Sequence, residues 1–126
     1  MLGAAHAAAN PLTTHFGIVH GHAVGLMLPQ VVRFNGEDAV ARATYKALTD
    51  MTGISDSGKS HMANLVERIE MVLRLTQLPR TLALCGVKRA AIPMLAKEAA
   101  QQWTAAFNPR PVAQSDFVKL YEAALT

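Results

Sequence analysis

Gly3-Ala-Ala-His6-Ala-Ala-Ala-Asn10-Pro11-Leu12, His15-Phe-Gly17-Ile-Val-His20-Gly21-His22-Ala-Val-Gly-Leu-Met-Leu-Pro29 and Val31-Val-Arg-Phe-Asn35 form the stretch whose reading decides this chain. It holds four of the five histidines among alanines, glycines and leucines. Imidazole is the commonest side-chain metal ligand and titrates near neutrality. So dense a group in an apolar setting points to a site rather than to a solvated surface. On a helix His6 and Asn10 are four apart and share one face. Pro11 does not continue a regular helix comfortably, so a bend or loop is expected near it, with Gly17 and Gly21 permitting the reversal. His20 then opens a second helix beside His6. His20 and His22, two apart, cannot face the same way on a helix, so at most one joins a shared site. Taken singly, His15, His22 and His61 read as ordinary hydrogen-bonded residues.

Working outward, the periodicity is helical almost throughout. Met62, Leu65, Val66, Ile69, Val72 and Leu73 recur at spacings of three and four, as one face of an amphipathic helix requires. Ile92, Leu95, Ala99 and Trp103 repeat the pattern, with Pro93 tolerated in a first turn. Phe117, Leu120, Tyr121 and Ala124 do so again, and Glu37 to Thr49 carries a weaker face. Asn35-Gly36, Gly53 to Gly58, Pro79 and Asn108 to Pro111 separate these units. With no run of strand alternation, the expectation is an all-α helical bundle, residues 1–126 forming a single helical domain.

Composition narrows the function classes. At 51% apolar residues the chain should fold, and at 17% charged residues it is leaner than an ordinary soluble domain. The net charge of +3 is scattered, with only Lys88-Arg89 adjacent, whereas a nucleic-acid binder gathers its basic residues into a patch. No apolar run reaches the ~20 residues that cross a bilayer, and no basic region precedes the N-terminal alanines as in a signal peptide. Neither nucleic acid nor membrane is an expected partner, and a cytoplasmic location is the default. Cys85, the single cysteine, reads as a small buried hydrophobe beside Leu82, Leu84 and Val87.

Gly53-Ile-Ser-Asp-Ser-Gly58-Lys59-Ser60 satisfies the phosphate-loop pattern G-x-x-x-x-G-K-[ST]. That loop needs a buried strand before it, and Ala47-Leu-Thr-Asp-Met-Thr52 is no such strand. The motif is read instead as an interhelical loop, with a Ser or Asp capping the following helix, and a nucleotide-binding P-loop is disfavoured.

Gly3 and His6, His20-Gly21, Pro29 and Asn35, with Asn108-Pro109-Arg110-Pro111 before a last amphipathic helix, together resemble the iron-dependent (group III) alcohol dehydrogenase family. That family carries a Gly-x-x-His helix, a His-Gly opening the next helix and a Pro-x-x-x-x-x-Asn ending. The resemblance runs along nearly all 126 residues and is weakest between about Gly36 and Gln77. It implies a metal-dependent oxidoreductase, with His6 and His20 on the metal-ligating histidines and Asn10 at a position of the substrate and nicotinamide pocket. There the family often has a third, non-ligating histidine; asparagine can hydrogen-bond but cannot relay a proton near neutrality. The implied cofactors are a divalent metal, Fe(II) or Zn(II) by the chemistry of imidazole with carboxylate, and NAD(P). The implied reaction is hydride transfer between a primary alcohol or aldehyde and nicotinamide.

Two imidazoles do not complete a catalytic metal site. The family draws its other ligands from an Asp-x-x-x-His helix, and Asp38, Asp50, Asp56 and Asp116 have no histidine four residues on. The nucleotide-binding domain is likewise missing. The chain therefore reads as the C-terminal fragment of a dehydrogenase-like helical domain, truncated on its N-terminal side and catalytically incomplete alone, with a small alcohol or aldehyde as substrate only in the full enzyme. A helical interaction or dimerisation module and a truncated reading frame without function are the alternatives. Loss of the missing segments should expose apolar area near Ala4, Ala8, Leu26 and Ile18, and so favour a homo-oligomer or a partner half.

Overall fold

The structure, a computed structural model, describes residues 3–54 and 58–126. Among them the chain is all-helical: α1 Gly3–Phe16, α2 His20–Asn35, α3 Ala39–Thr52, α4 His61–Leu75, α5 Ile92–Ala100 and α6 Gln114–Leu125, with short 3-10 turns at Arg89–Ala91 and Trp103–Phe107. No described helix is long and apolar enough to cross a membrane.

Helix α1 is the axis of the bundle. Ala4, Ala5, Ala7, Ala8 and Ala9 are all buried, and their short side chains let α2, α5 and the Trp103–Phe107 turn pack closely around α1. Leu12, Met27, Leu82, Ile92, Leu95 and Phe117 fill the core with essentially no exposed surface. Burial of each such side chain stabilises the fold by roughly 1.5–3 kcal/mol. A smaller cluster of Val32, Leu65 and Val66 joins α2 to α4. Helix α3 hangs on the edge of this body, with only Ala41 and Thr49 buried.

Five expectations are corrected. The chain does not bend away at Pro11, because α1 runs through it to Phe16 and buries the ring. The reversal falls later, at Gly17 with φ +64°, a conformation that costs a side-chain-bearing residue about 1–2 kcal/mol; Gly21 is already helical. Trp103 does not extend the face of α5, which ends at Ala100. There Gln102 takes an extended backbone and Trp103 is left 66% exposed. Ala4, Ala8, Leu26 and Ile18 are not exposed but buried, since the helices of this same chain cover them; Trp103 and Phe107 are among the exposed large apolar residues instead. Cys85 is half-buried and Leu84 lies mostly in solvent.

The phosphate-loop pattern sits between two helices. Gly53 ends α3 in the left-handed conformation, Ser60 Oγ accepts from Ala63 N at 3.2 Å to cap α4, and Lys59 pairs with Glu67 at 2.6 Å. Residues 55–57 of the motif lie outside the described residues. A helix where a phosphate loop needs a strand agrees with the interhelical reading.

Candidate metal centre

Ten residues separate His6 from Phe16, about 15 Å of helix at 1.5 Å per residue. The four steps from Phe16 to His20 span at most about 14 Å. Gly17 in the left-handed conformation and Val19 with non-helical backbone (φ −52°, ψ 131°) turn the chain between the two helices so that His20 comes beside His6. The result is a pair of imidazoles whose ring centroids lie 5.4 Å apart with their planes inclined at 47°. Two rings sharing one ion at metal–nitrogen bonds of about 2.1 Å and a tetrahedral angle would have centroids about 5 Å apart. The spacing thus fits joint ligation of one divalent ion. The donor set is incomplete: among the described residues no group of three or more His, Cys, Asp or Glu forms that could hold a metal.

The other histidines are engaged elsewhere. His15 Nε2 meets Glu98 Oε2 at 2.8 Å. His22 Nε2 donates to the Pro79 carbonyl at 2.7 Å, holding down the loop after α4, as the two-residue offset from His20 requires. His61 Nδ1 lies 3.0 Å from Thr49 Oγ1 and 3.4 Å from Asp50 Oδ1. Thr49 already gives its one hydroxyl proton to the Lys46 carbonyl at 2.8 Å, so His61 Nδ1 is the donor to Thr49. Asn10 donates through Nδ2 to Gln102 Oε1 at 2.9 Å, which ties α1 to the residues just after α5.

The asparagines of the two end motifs meet. Asn108 Nδ2 donates to Asn35 Oδ1 at 2.7 Å and Asn35 Nδ2 to Asn108 Oδ1 at 3.2 Å. Asn108 Oδ1 also accepts from Ala4 N at 3.3 Å, so a first-turn N–H of α1 is capped by a residue 104 positions away. Arg110 lies over the Phe34 ring at 3.9 Å and donates to the Phe34 carbonyl and to Glu37, both at 2.6 Å. These residues matched as family markers; their work is to clasp the start of α1 to the end of α2. Tyr121, fully buried, donates its phenol to the Ala8 carbonyl at 2.7 Å. Its packing was legible from the apolar period of α6; its hydrogen bond was not. Burial first, and the charge of Glu98 second, push the ionisation of this phenol far above the usual range.

Comparison with known proteins agrees with this architecture. Residues 1–125 match the Fe-containing alcohol dehydrogenase family, C-terminal. Lactaldehyde reductase of Escherichia coli strain K12 is 30% identical over 98% of this chain and 32% of its own length. A crystal structure of 1,3-propanediol oxidoreductase superposes with a TM-score of 0.80 at 25% identity, over 98% of this chain and 32% of that one. An alcohol dehydrogenase from Oenococcus oeni shares the fold, with a TM-score of 0.83 at 23% identity over 97% and 32%. The chain spans about a third of the length of the relatives it matches. On this match over nearly its whole length, the chain belongs to the Fe-containing alcohol dehydrogenase family, as part of its C-terminal region.

Proposed function

We propose that this chain is the C-terminal metal-binding segment of an NAD(P)-dependent alcohol dehydrogenase, with His6 and His20 as two of the metal ligands and Asn10 in the substrate and nicotinamide pocket. The observation that carries the reading is the convergence of His6 and His20 from successive helices at 5.4 Å. A divalent ion, Fe(II) or Zn(II), when bound supplies Lewis-acid charge that favours negative charge on the oxygen of a primary alcohol or aldehyde. His6 and His20 offer nitrogen lone pairs in their neutral forms, which is why protons compete for the site. Asn10, held by Gln102, orients a neighbouring group by hydrogen bonding and moves no proton. The remaining ligands and the nucleotide-binding domain belong, on this reading, to the part of the family's architecture that these 126 residues do not span. The isolated chain is therefore an incomplete catalyst.

Zinc titration of the wild type beside His6→Ala, His20→Ala and His61→Ala tests the assignment. Weak binding is expected, lost in the first two variants and retained in the third. Loss confined to His61→Ala would place the site on the wrong histidines. The pure chain is expected to give no alcohol-dependent reduction of NAD or NADP; turnover that disappears on mutating His20 would refute its incompleteness.

A further inference from the structure

The turn of α1 that carries His6 is gripped at both ends by the far end of the chain. Ala4 N at its start bonds Asn108, and the Ala8 carbonyl two residues past His6 bonds Tyr121. Just beyond lies Pro11, buried inside the helix. A proline supplies no N–H to the carbonyl four residues back, here that of Ala7, and its ring crowds that carbonyl. The backbone ladder of α1 is thus weakest one turn after His6, beside the point where the Tyr121 phenol enters. His20 hangs on α2, beyond the Gly17 reversal, and shares none of these bonds. The separation of the two rings therefore depends on how the first half of α1 is held across Pro11.

We infer that Tyr121 is a positioning residue for the histidine pair: its buried hydroxyl, bonded to the Ala8 carbonyl, sets the place of His6 relative to His20. The significance for a metal rests on the reading proposed above, but the placement of the rings does not. Tyr121 is fully buried and fixed on α6 by Phe117 and Leu120, both also in the core. With its ionisation raised by burial, the phenol remains an O–H donor through neutral pH. Tyr45, by comparison, sits on the peripheral helix α3, accepts at 3.2 Å from Asn35 Nδ2 of α2 rather than bonding α1, and serves as the control.

The test uses the full chain without metal. Side-chain NMR resonances of His6 and His20, assigned from their Ala variants, are compared in the wild type, Tyr121→Phe and Tyr45→Phe. Tyr121→Phe removes one oxygen and no ring volume, and it should move both imidazole resonances, whereas Tyr45→Phe should leave them in place. Pro11→Ala restores a ladder bond to Ala7, so the double variant Pro11→Ala/Tyr121→Phe should return the resonances toward their wild-type positions. Unchanged resonances in Tyr121→Phe, equal changes in Tyr45→Phe, or no recovery in the double variant would overturn the inference. Zinc titration of the same proteins then adds the metal. An about tenfold loss of affinity in Tyr121→Phe alone, at the low end for residues that orient metal ligands, is expected. A wild type that takes up no zinc while its resonances still respond to Tyr121→Phe would refute the metal assignment and leave the positioning role standing.

Discussion

Replacing Asn108 by alanine should cost far more than one half-buried surface-loop side chain ordinarily does. An asparagine amide has two donor hydrogens and two acceptor lone pairs, and Asn108 uses all four, on Asn35 Oδ1, the Arg110 carbonyl, Asn35 Nδ2 and Ala4 N. Truncation leaves Asn35 Oδ1 without this donor in a residue only 3% exposed, and leaves Ala4 N without its cap in a residue 0% exposed. Each abandoned buried group costs about 1–3 kcal/mol, while the Arg110 carbonyl can turn to water. About 3 kcal/mol is therefore expected in total. With an unfolding entropy of about 2.1 cal/mol/K per residue, a chain of this size loses about 11 °C in Tm for that change. Urea unfolding followed by circular dichroism measures the free-energy loss, and a thermal scan the fall in Tm. A double-mutant cycle with leucine at positions 35 and 108 sharpens the test, since removing both partners orphans neither. The pair should cost at least about 1 kcal/mol less than the sum of the single changes. A loss below about 1 kcal/mol for Asn108→Ala, or additivity in the cycle, would refute the clasp.

Gln77 has φ +59° at the end of α4, a conformation that costs about 1–2 kcal/mol with a side chain; after glycine's own entropy cost, Gln77→Gly should gain about 0.5 kcal/mol by urea unfolding, and a net loss would contradict the strain argument. The Lys46 hydrogen bond, assisted by the charges of Lys46 and His61, holds the Asp50 carboxyl below its ordinary 3.8. Because the folded value is the lower one, this contribution to stability is complete at neutral pH and is lost as acid carries the solution down through the folded value. Lys46→Ala should raise the Asp50 midpoint in a carboxyl-carbon NMR titration, and an unmoved or lowered midpoint would assign the shift elsewhere.

The helical class was legible because its signal is local. The apolar spacing around Leu65–Val66 and Phe117–Tyr121 places those residues inward before any contact between helices is known. Where local rules and packing disagree, packing prevailed. Pro11 reads as a breaker, yet burial of its ring and the Tyr121 bond beside it keep α1 continuous. Trp103 continues the apolar period of α5, yet the turn at Gln102, which bonds Asn10 on α1, ends that helix first.

By itself, the order of residues placed His6 and Asn10 on one helical face and barred His20 and His22 from sharing a direction. It also supplied the markers at Gly3, Asn35 and Asn108 that tie the chain to its family. These follow from a period of 3.6 residues and from motif spacing, which involve only neighbours along the chain. Tertiary structure alone decided that the two imidazoles stand 5.4 Å apart. It decided too that α1 is capped by Asn108 and braced by Tyr121, across 104 and 113 positions. No local preference encodes those distances, because each exists only once the core of α1, α2, α5 and α6 has closed around it.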